Sequence, residues 1–483
     1  MEKKLTDLAP GALWGYFEEI CRVPRPSGRE EKIMAFLVDF ARRRGLEYRA
    51  DAAGNVVIRK PATKGREGAP AVVLQAHADM VCEQDGTGAH DFDRDPIMPV
   101  IDGEWVKAAG GTTLGADDGI GMAACMLALT DKSLRHGPLE CLFTVDEERG
   151  MTGAFGLQED FVQGRMLLNL DSEDEGEVFI GCAGGIDTTA RLQGKSAPVS
   201  PGFLAARVEV SGLLGGHSGD DINKGRGNAI KILNRFLWML NEAEGVRVAR
   251  LEGGDKRNAI PREARAVFVY DERWKERVAS TFNVYAATTR ENLLAEPGIR
   301  LMLDTVETPA RALDEASTTT LLRLLHGCPH GVFAMSLRVP GLVETSANLA
   351  SVRFEDEEIV VATSQRSDVE SEKMNVAGAV SSVFRLAGAR VEQSDGYPGW
   401  APNPGSALLQ VVARSHERLF GKPPVVRSIH AGLECGLFLE KFPGMDMISF
   451  GPTLRDAHSP RERVHAPSVE RWWRHLVDIL ETI

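Results

Sequence analysis

The stretch Val72-Val-Leu-Gln-Ala-His-Ala-Asp79 runs from an apolar, β-branched start into a histidine and an aspartate. An apolar run this short reads as a buried strand, which puts His77 at its carboxyl end. Two other runs have the same form: Leu142-Phe-Thr-Val145 leads into Glu147, and Leu167-Leu-Asn-Leu170 leads into Asp171. Helical stretches at 120–129 and near 153–157 separate the runs. Strand-helix alternation of this kind predicts an α/β layer with a mostly parallel sheet between helices. In such sheets functional side chains gather at the carboxyl ends of the strands.

Working outward, two more segments carry the same chemistry, Gly115-Ala-Asp-Asp118 and Asp456-Ala-His458. Taken singly, a His-x-Asp is ordinarily a solvated surface pair, adjacent glutamates a solvated face, and an Asp-Asp among glycines a turn. Their order and placement at strand ends change that reading. His77, Asp117, Glu148, Asp171 and His458 supply two imidazoles and three carboxylates, the donors zinc and its neighbours take in catalytic sites. Two ions roughly 3.5–4 Å apart need a bridging carboxylate and terminal ligands on each side. On an extended segment Asp79 shares a face with His77 and is placed to hold its ligating tautomer. Glu147 is left free to take a proton from water.

The chain of 483 residues is too long for one simple core, so two or three domains are expected. A net charge of -13 with no dense basic stripe argues against a nucleic-acid surface. Seven cysteines without a C-x-x-C pair read as reduced thiols in a cytoplasmic protein. No secretory signal is visible, and no apolar stretch approaches the ~20 residues that span a bilayer, so no membrane partner is expected.

After Gly184-Gly185 the texture becomes α+β, with amphipathic helices near 225–243, 272–290, 314–326 and 370–387. The segment Val210-Ser-Gly-Leu-Leu214 is echoed by Val339-Pro-Gly-Leu-Val343, which suggests a tandem pair of similar units. That echo sets Ser346 opposite His217. Gly396-Tyr-Pro-Gly-Trp-Ala-Pro-Asn-Pro404 reads as a return linker. The expected organisation is a discontinuous metal-binding catalytic domain, 1–186 and 399–483, with an inserted lid domain at 187–398.

The segments Leu74-Gln-Ala-His-Ala-Asp-Met-Val81, Gly111-Thr-Thr-Leu-Gly-Ala-Asp-Asp-Gly119, Thr144-Val-Asp-Glu-Glu148 and Gly215-Gly-His-Ser-Gly219 resemble the di-zinc aminoacylase/carboxypeptidase superfamily. Within it, His90-Asp-Phe-Asp-Arg-Asp-Pro96, Asn169-Leu-Asp-Ser172, His430-Ala-Gly-Leu-Glu434 and Ile448-Ser-Phe-Gly-Pro452 resemble the aminoacyl-histidine dipeptidase (peptidase D) branch. The resemblance implies that Asp117 bridges two divalent ions, with His77 and Asp171 completing one site and Glu148 and His458 the other. It further implies that Asp79 orients His77 and that Glu147 is the general base. His217 would polarise the scissile carbonyl from the lid, often from a neighbouring subunit. Asn258 in Asn258-Ala-Ile-Pro261 would help hold substrate, and Arg366 would grip its terminal carboxylate. For His430 and Glu434, lining the pocket and bracing it stay equally open.

The implied activity is hydrolysis of unblocked dipeptides, Xaa-His types such as β-alanyl-histidine among them. An amidase or N-acyl amino acid hydrolase with the same centre is the alternative, and a non-catalytic peptide-binding protein is a third reading. Zinc is the expected metal, although cobalt and manganese accept the same ligands. A homodimer is the expected assembly, with a monomer left open.

Overall fold

The computed structural model describes residues 3–86, 89–355 and 358–483. Contacts divide the chain into two compact units. The first comprises Met1–Gly181, Pro402–Ser428 and Leu433–Ile483; the second comprises Cys182–Ala401 and Ile429–Gly432. These divisions fall a few residues outside the expected 186/187 and 398/399. The cause is a pairing of the outgoing and returning chain: Cys182 exchanges backbone hydrogen bonds with Trp400, and Gly185 with Tyr397. The short segment Ile429–Gly432 joins the second unit partly through the bond from Ala183 N–H to the Ile429 carbonyl.

The first unit is built on an eight-stranded sheet. Its centre is four strands in parallel, Leu139–Thr144, Val72–His77, Met166–Asn169 and Asp446–Ser449. The expected parallel arrangement holds for that centre; Glu47–Ala50 with Val56–Lys60, Val56–Lys60 with Leu139–Thr144, and Asp446–Ser449 with Glu177–Cys182 pair antiparallel. Val72–His77 and Leu139–Thr144 are buried at every position, as continuous apolar runs covered on both faces must be. The helix Ala116–Thr130 is buried along almost all of its length and packs on this sheet, which explains its run of Gly, Ala, Met, Cys and Leu. A small four-stranded sheet pairs Leu454–Arg455 with Arg463–His465, and the latter with Trp105–Ala108. The loop 456–462 is thereby closed at its base.

The second unit contains a nine-stranded antiparallel sheet. Phe203–Ser211, Arg247–Gly253, Ala264–Asp271 and Arg300–Val306, with helices Ala229–Glu244 and Lys275–Asn292 between them, lie in the spatial order fourth, first, third, second. Gly184–Gln193, Val343–Glu355, Glu358–Ser367 and Arg390–Gln393, with helices Glu315–Gly327 and Glu370–Leu386, repeat that order in reverse. Each set is a split β-α-β arrangement, and the two second strands meet at Gly253 and Val352. All four helices contribute to one core, through Phe236, Phe282, Leu321 and Phe384 among others. Local signals set the helix ends. Asn228 and Asp314 side chains cap the first turns of their helices, and Gly245 closes one in the left-handed conformation.

The tandem pair is therefore present, but the sequence echo does not mark it. Val210 lies near the end of a first strand, whereas Val343 begins a second strand. Ser346 is consequently not the counterpart of His217. The second copy is itself interrupted, because its first strand precedes the whole of the other copy.

Candidate active site

The carboxyl ends of the parallel strands bring the acidic and imidazole groups of the first unit together. His77 closes its strand, and its Nε2 lies 3.0 Å from Asp117 Oδ1 and 3.3 Å from Asp171 Oδ1. The other oxygen of Asp117, Oδ2, lies 3.1 Å from His458 Nε2, which is 2.9 Å from Glu148 Oε1. One carboxylate thus faces two imidazoles, each with a second acid beside it. Ligand atoms of His77, Asp117 and Glu148 all fall within 4.8 Å of one another.

Asp79 serves two segments at once. Its Oδ1 lies 3.3 Å from His77 Nδ1, and its two oxygens accept the backbone N–H groups of Glu147 at 3.1 Å and Glu148 at 3.2 Å. Burial alone would raise its pKa, but its hydrogen bond with His77, that residue's charge and the Glu147 N–H hold it at about 2. An ionised Asp79 draws the Nδ1 proton, leaving Nε2 to face the acids. Asp146, immediately before Glu147, and Asp456 and His458 all have positive φ, near 58°. Non-glycine residues rarely adopt this conformation, and it costs of order 1–3 kcal/mol where the surroundings impose it.

The centre has more acid than base. Burial raises Asp171 to about 7 and, with the Asp117 charge adding to it, Glu173 to about 8. Burial, with Asp171, Glu434 and Glu148 nearby, pushes Glu147 well above the usual carboxylate range. Hydrogen bonds to Asp117 and Glu148 raise His458 to about 11. Crowded carboxylates around two imidazoles form a donor set that fits divalent cations, whose charge would offset the repulsion.

Several residues that shape the site carried no signal in the sequence. Glu462, buried at the end of the loop bearing His458, accepts backbone N–H groups of Leu114, Gly115, Ala116 and Asp117 at 2.8, 2.9, 2.7 and 3.3 Å. It caps the helix that begins at Ala116 and so holds Asp117. Arg25, also buried, donates to the carbonyls of Ala78 at 3.1 Å, Asp79 at 2.7 Å and Gly115. Gly115 has φ 69°, and a Cβ there would lie 2.6 Å from Arg25 Nη2 and 2.8 Å from Met80 Sδ. Only glycine meets both demands. Arg25 stands between two prolines and Glu462 between two arginines, so nothing local marks either one; their partners are distant in sequence. Glu173, two residues past Asp171, joins the same crowd of buried acids.

His430 and Glu434, four residues apart in sequence, fall in different units. Glu434 is fully buried in the first, accepting from Gln75 Nε2 at 2.7 Å and Thr144 Oγ1 at 2.8 Å. Its Oε1 has no hydrogen-bond partner, and burial raises its pKa to about 8. Gln75 in turn accepts from Asn169 Nδ2 at 2.5 Å, so polar residues inside apolar strands were the available signal here. His430 pairs with Ser346 Oγ at 2.8 Å, and burial beside Arg366 and His217 lowers its pKa to about 3.

In the second unit a two-residue strand pair sets His217 beside Ala259, next to the exposed Asn258. The Asn258 carbonyl accepts the Ser218 N–H at 2.8 Å. His217 Nδ1 accepts N–H groups of Gly219 and Asp220 at 3.3 and 3.2 Å. Burial and the Arg366 charge lower its pKa, so the neutral ring carries its proton on Nε2 and can donate it. Arg366 donates from Nη1 to Tyr397 Oη at 2.8 Å.

Together, the strand-end position, the shared carboxylate and the adjacent Glu147 are the parts of a metal-dependent hydrolase centre. The chain belongs to peptidase family M20/M25/M40, whose model matches residues 73–482. It is 44% identical over 481 residues to the cytosol non-specific dipeptidase of Escherichia coli (strain K12), covering 99% of each chain. A crystal structure of aminoacylhistidine dipeptidase from Vibrio alginolyticus superposes with a TM-score of 0.93 at 44% identity, over 100% of this chain and 98% of that one. The aminopeptidase PepT of Bacillus cereus shares the fold, with a TM-score of 0.59 at 17% identity over 98% of both chains.

Proposed function

We propose that the protein is a metal-dependent dipeptidase that hydrolyses unblocked dipeptides, Xaa-His types such as β-alanyl-histidine among them. The observation that carries this reading is Asp117, whose two oxygens each face a different imidazole, with Glu147 beside but outside that set. The dipeptidase relatives, alike over nearly the full length, support it over an amidase acting on blocked substrates. In this reading Asp117 would be shared by two cations, most simply zinc; His77 and Asp171 would help hold one, and Glu148 and His458 the other. When bound, such ions act as Lewis acids that polarise a carbonyl and make water more acidic. Asp79 keeps His77 in its ligating tautomer.

Glu147 takes the proton from the attacking water and passes it to the leaving amine, as a carboxylate positioned beside the ligand set can. The second unit acts as a lid that handles substrate. His217 donates from Nε2 to the carbonyl oxygen as negative charge develops there. Asn258 assists in holding the peptide, and Arg366 takes its terminal carboxylate. Ser346 occupies His430, and two donors occupy the other oxygen of Glu434, so bracing is the role proposed for both. The proposed location is the cytoplasm, as for the relative named a cytosol enzyme. Among the described residues no helix is long and apolar enough to cross a membrane.

The test is Glu147→Gln, assayed on a panel of free and N-acylated dipeptides after chelation and metal add-back. Turnover should fall by roughly 10²–10⁴-fold while metal content is retained. Wild-type turnover in that variant, or preference for blocked substrates in the parent enzyme, would sink the assignment.

A further inference from the structure

Arg366 is 7% exposed, and no carboxylate of a described residue lies within ion-pair distance of it. A buried guanidinium without an acid partner is costly unless something else satisfies it. Its Nη1 donates to Tyr397 Oη, while its Nε is buried with no acceptor. A phenol oxygen holds the group without neutralising it. An aspartate in that place would compete with an incoming anion.

The sheet makes room for this contact. In register, Arg366 lies between Ser346 on one neighbouring strand and Gly185 on the other. Gly185 has no side chain, and the Tyr397 ring fills the vacated cross-strand position. A Cβ at Gly185 would sit 2.7 Å from the Tyr397 hydroxyl oxygen, and one at Gly432 would sit 2.8 Å from its Cε2. The Tyr397 backbone is fixed as well. It exchanges hydrogen bonds with Gly185 at 2.9 and 3.0 Å, and its carbonyl accepts Lys373 Nζ at 2.7 Å. The segment that reads as a return linker is therefore a built part of this unit.

A carboxylate is gripped best by two parallel N–H groups, and a guanidinium presents such pairs at the Nη1/Nη2 edge and at the Nε/Nη2 edge. We propose that Tyr397 is a positioning residue whose hydroxyl occupies Nη1 of Arg366, so that the Nε/Nη2 edge meets the C-terminal carboxylate of the dipeptide. Gly185 and Gly432 are the space this requires. The inference rests on the proposed role of Arg366 and adds the residue that sets its orientation.

The experiment compares a dipeptide with its C-terminal carboxamide on the metal-loaded enzyme, using the parent, Arg366→Lys, Tyr397→Phe and Gly185→Ala. The parent should prefer the free acid, and Arg366→Lys should lose that preference. Tyr397→Phe should raise KM for the acid roughly tenfold, the scale of a hydrogen bond to a charged group. It should leave kcat and the carboxamide kinetics near the parent values. Gly185→Ala displaces the ring but keeps the hydroxyl, and should give the same selective KM rise; it carries the test if Tyr397→Phe folds poorly. If Arg366→Lys keeps the acid preference, the role of Arg366 fails and the inference with it. If only Arg366→Lys loses the preference, or if Tyr397→Phe slows acid and carboxamide alike, the inference alone is overturned.

Discussion

Replacing Glu462 by Gln changes almost no volume and alters no proposed ligand side chain, yet it removes half of the cap that holds Asp117. Four backbone N–H groups point at the two carboxylate oxygens. In Gln one of those oxygens becomes an NH2, so two of the donors face another donor. At about 1.5–3 kcal/mol for each charge-assisted hydrogen bond, the gross loss is roughly 3–6 kcal/mol. A neutral amide recovers the cost of burying a charge, which is real here because burial raises the Glu462 pKa despite its four donors. The two effects oppose, and the net loss expected is about 1–3 kcal/mol, read as a lower thermal midpoint because a two-unit chain need not unfold in one step.

The larger consequence is for the metal. Asp117 faces both imidazoles, so a small shift of its backbone disturbs both proposed sites. Loss of such an outer partner typically costs 10–100-fold in metal affinity, and a fall of at least tenfold is expected. Calorimetric titration of the metal-free variant with zinc reads affinity directly, apart from turnover. Affinity within about twofold of the parent would refute the reasoning, as the standing typical cost is tenfold or more. A higher midpoint would show that charge burial outweighs the cap.

Two other outcomes follow from the geometry. His475 is buried with Nε2 3.0 Å from the Val412 carbonyl, and burial lowers its pKa from 6.5 to about 4. The folded state therefore binds fewer protons, so its contribution is present above pH 6.5 and lost as pH falls toward 4, up to about 3 kcal/mol in all. His475→Gln keeps an N–H donor and should flatten that part of the stability-pH curve; an unchanged acid slope would count against it. For the proposed homodimer, mixing His217→Ala chains with Glu147→Ala chains should restore activity if His217 serves a neighbouring active site. Mixed dimers without activity would show that it serves its own chain.

Much of the centre was legible because strand geometry is local. Short continuous apolar runs predicted which strand ends would carry His77, Glu147 and Asp171, and helix positions in the second unit followed from apolar periodicity. The paired α+β order in that unit was also anticipated, but for the wrong reason. A five-residue echo carries no information about strand order, which depends on pairings such as Gly253 with Val352.

What the sequence alone determined about this protein was the inventory of reactive groups and the elements that bear them, since both depend on residue type and short-range spacing. Tertiary structure decided which atoms face one another. It set the two oxygens of Asp117 against two imidazoles drawn from opposite ends of the chain. It turned Glu462 and Arg25 into supports for the segments bearing Asp117 and Asp79, and it made a linker tyrosine the partner of Arg366. Those pairings join residues from 31 to 347 positions apart, and packing beyond the local sequence chooses between them.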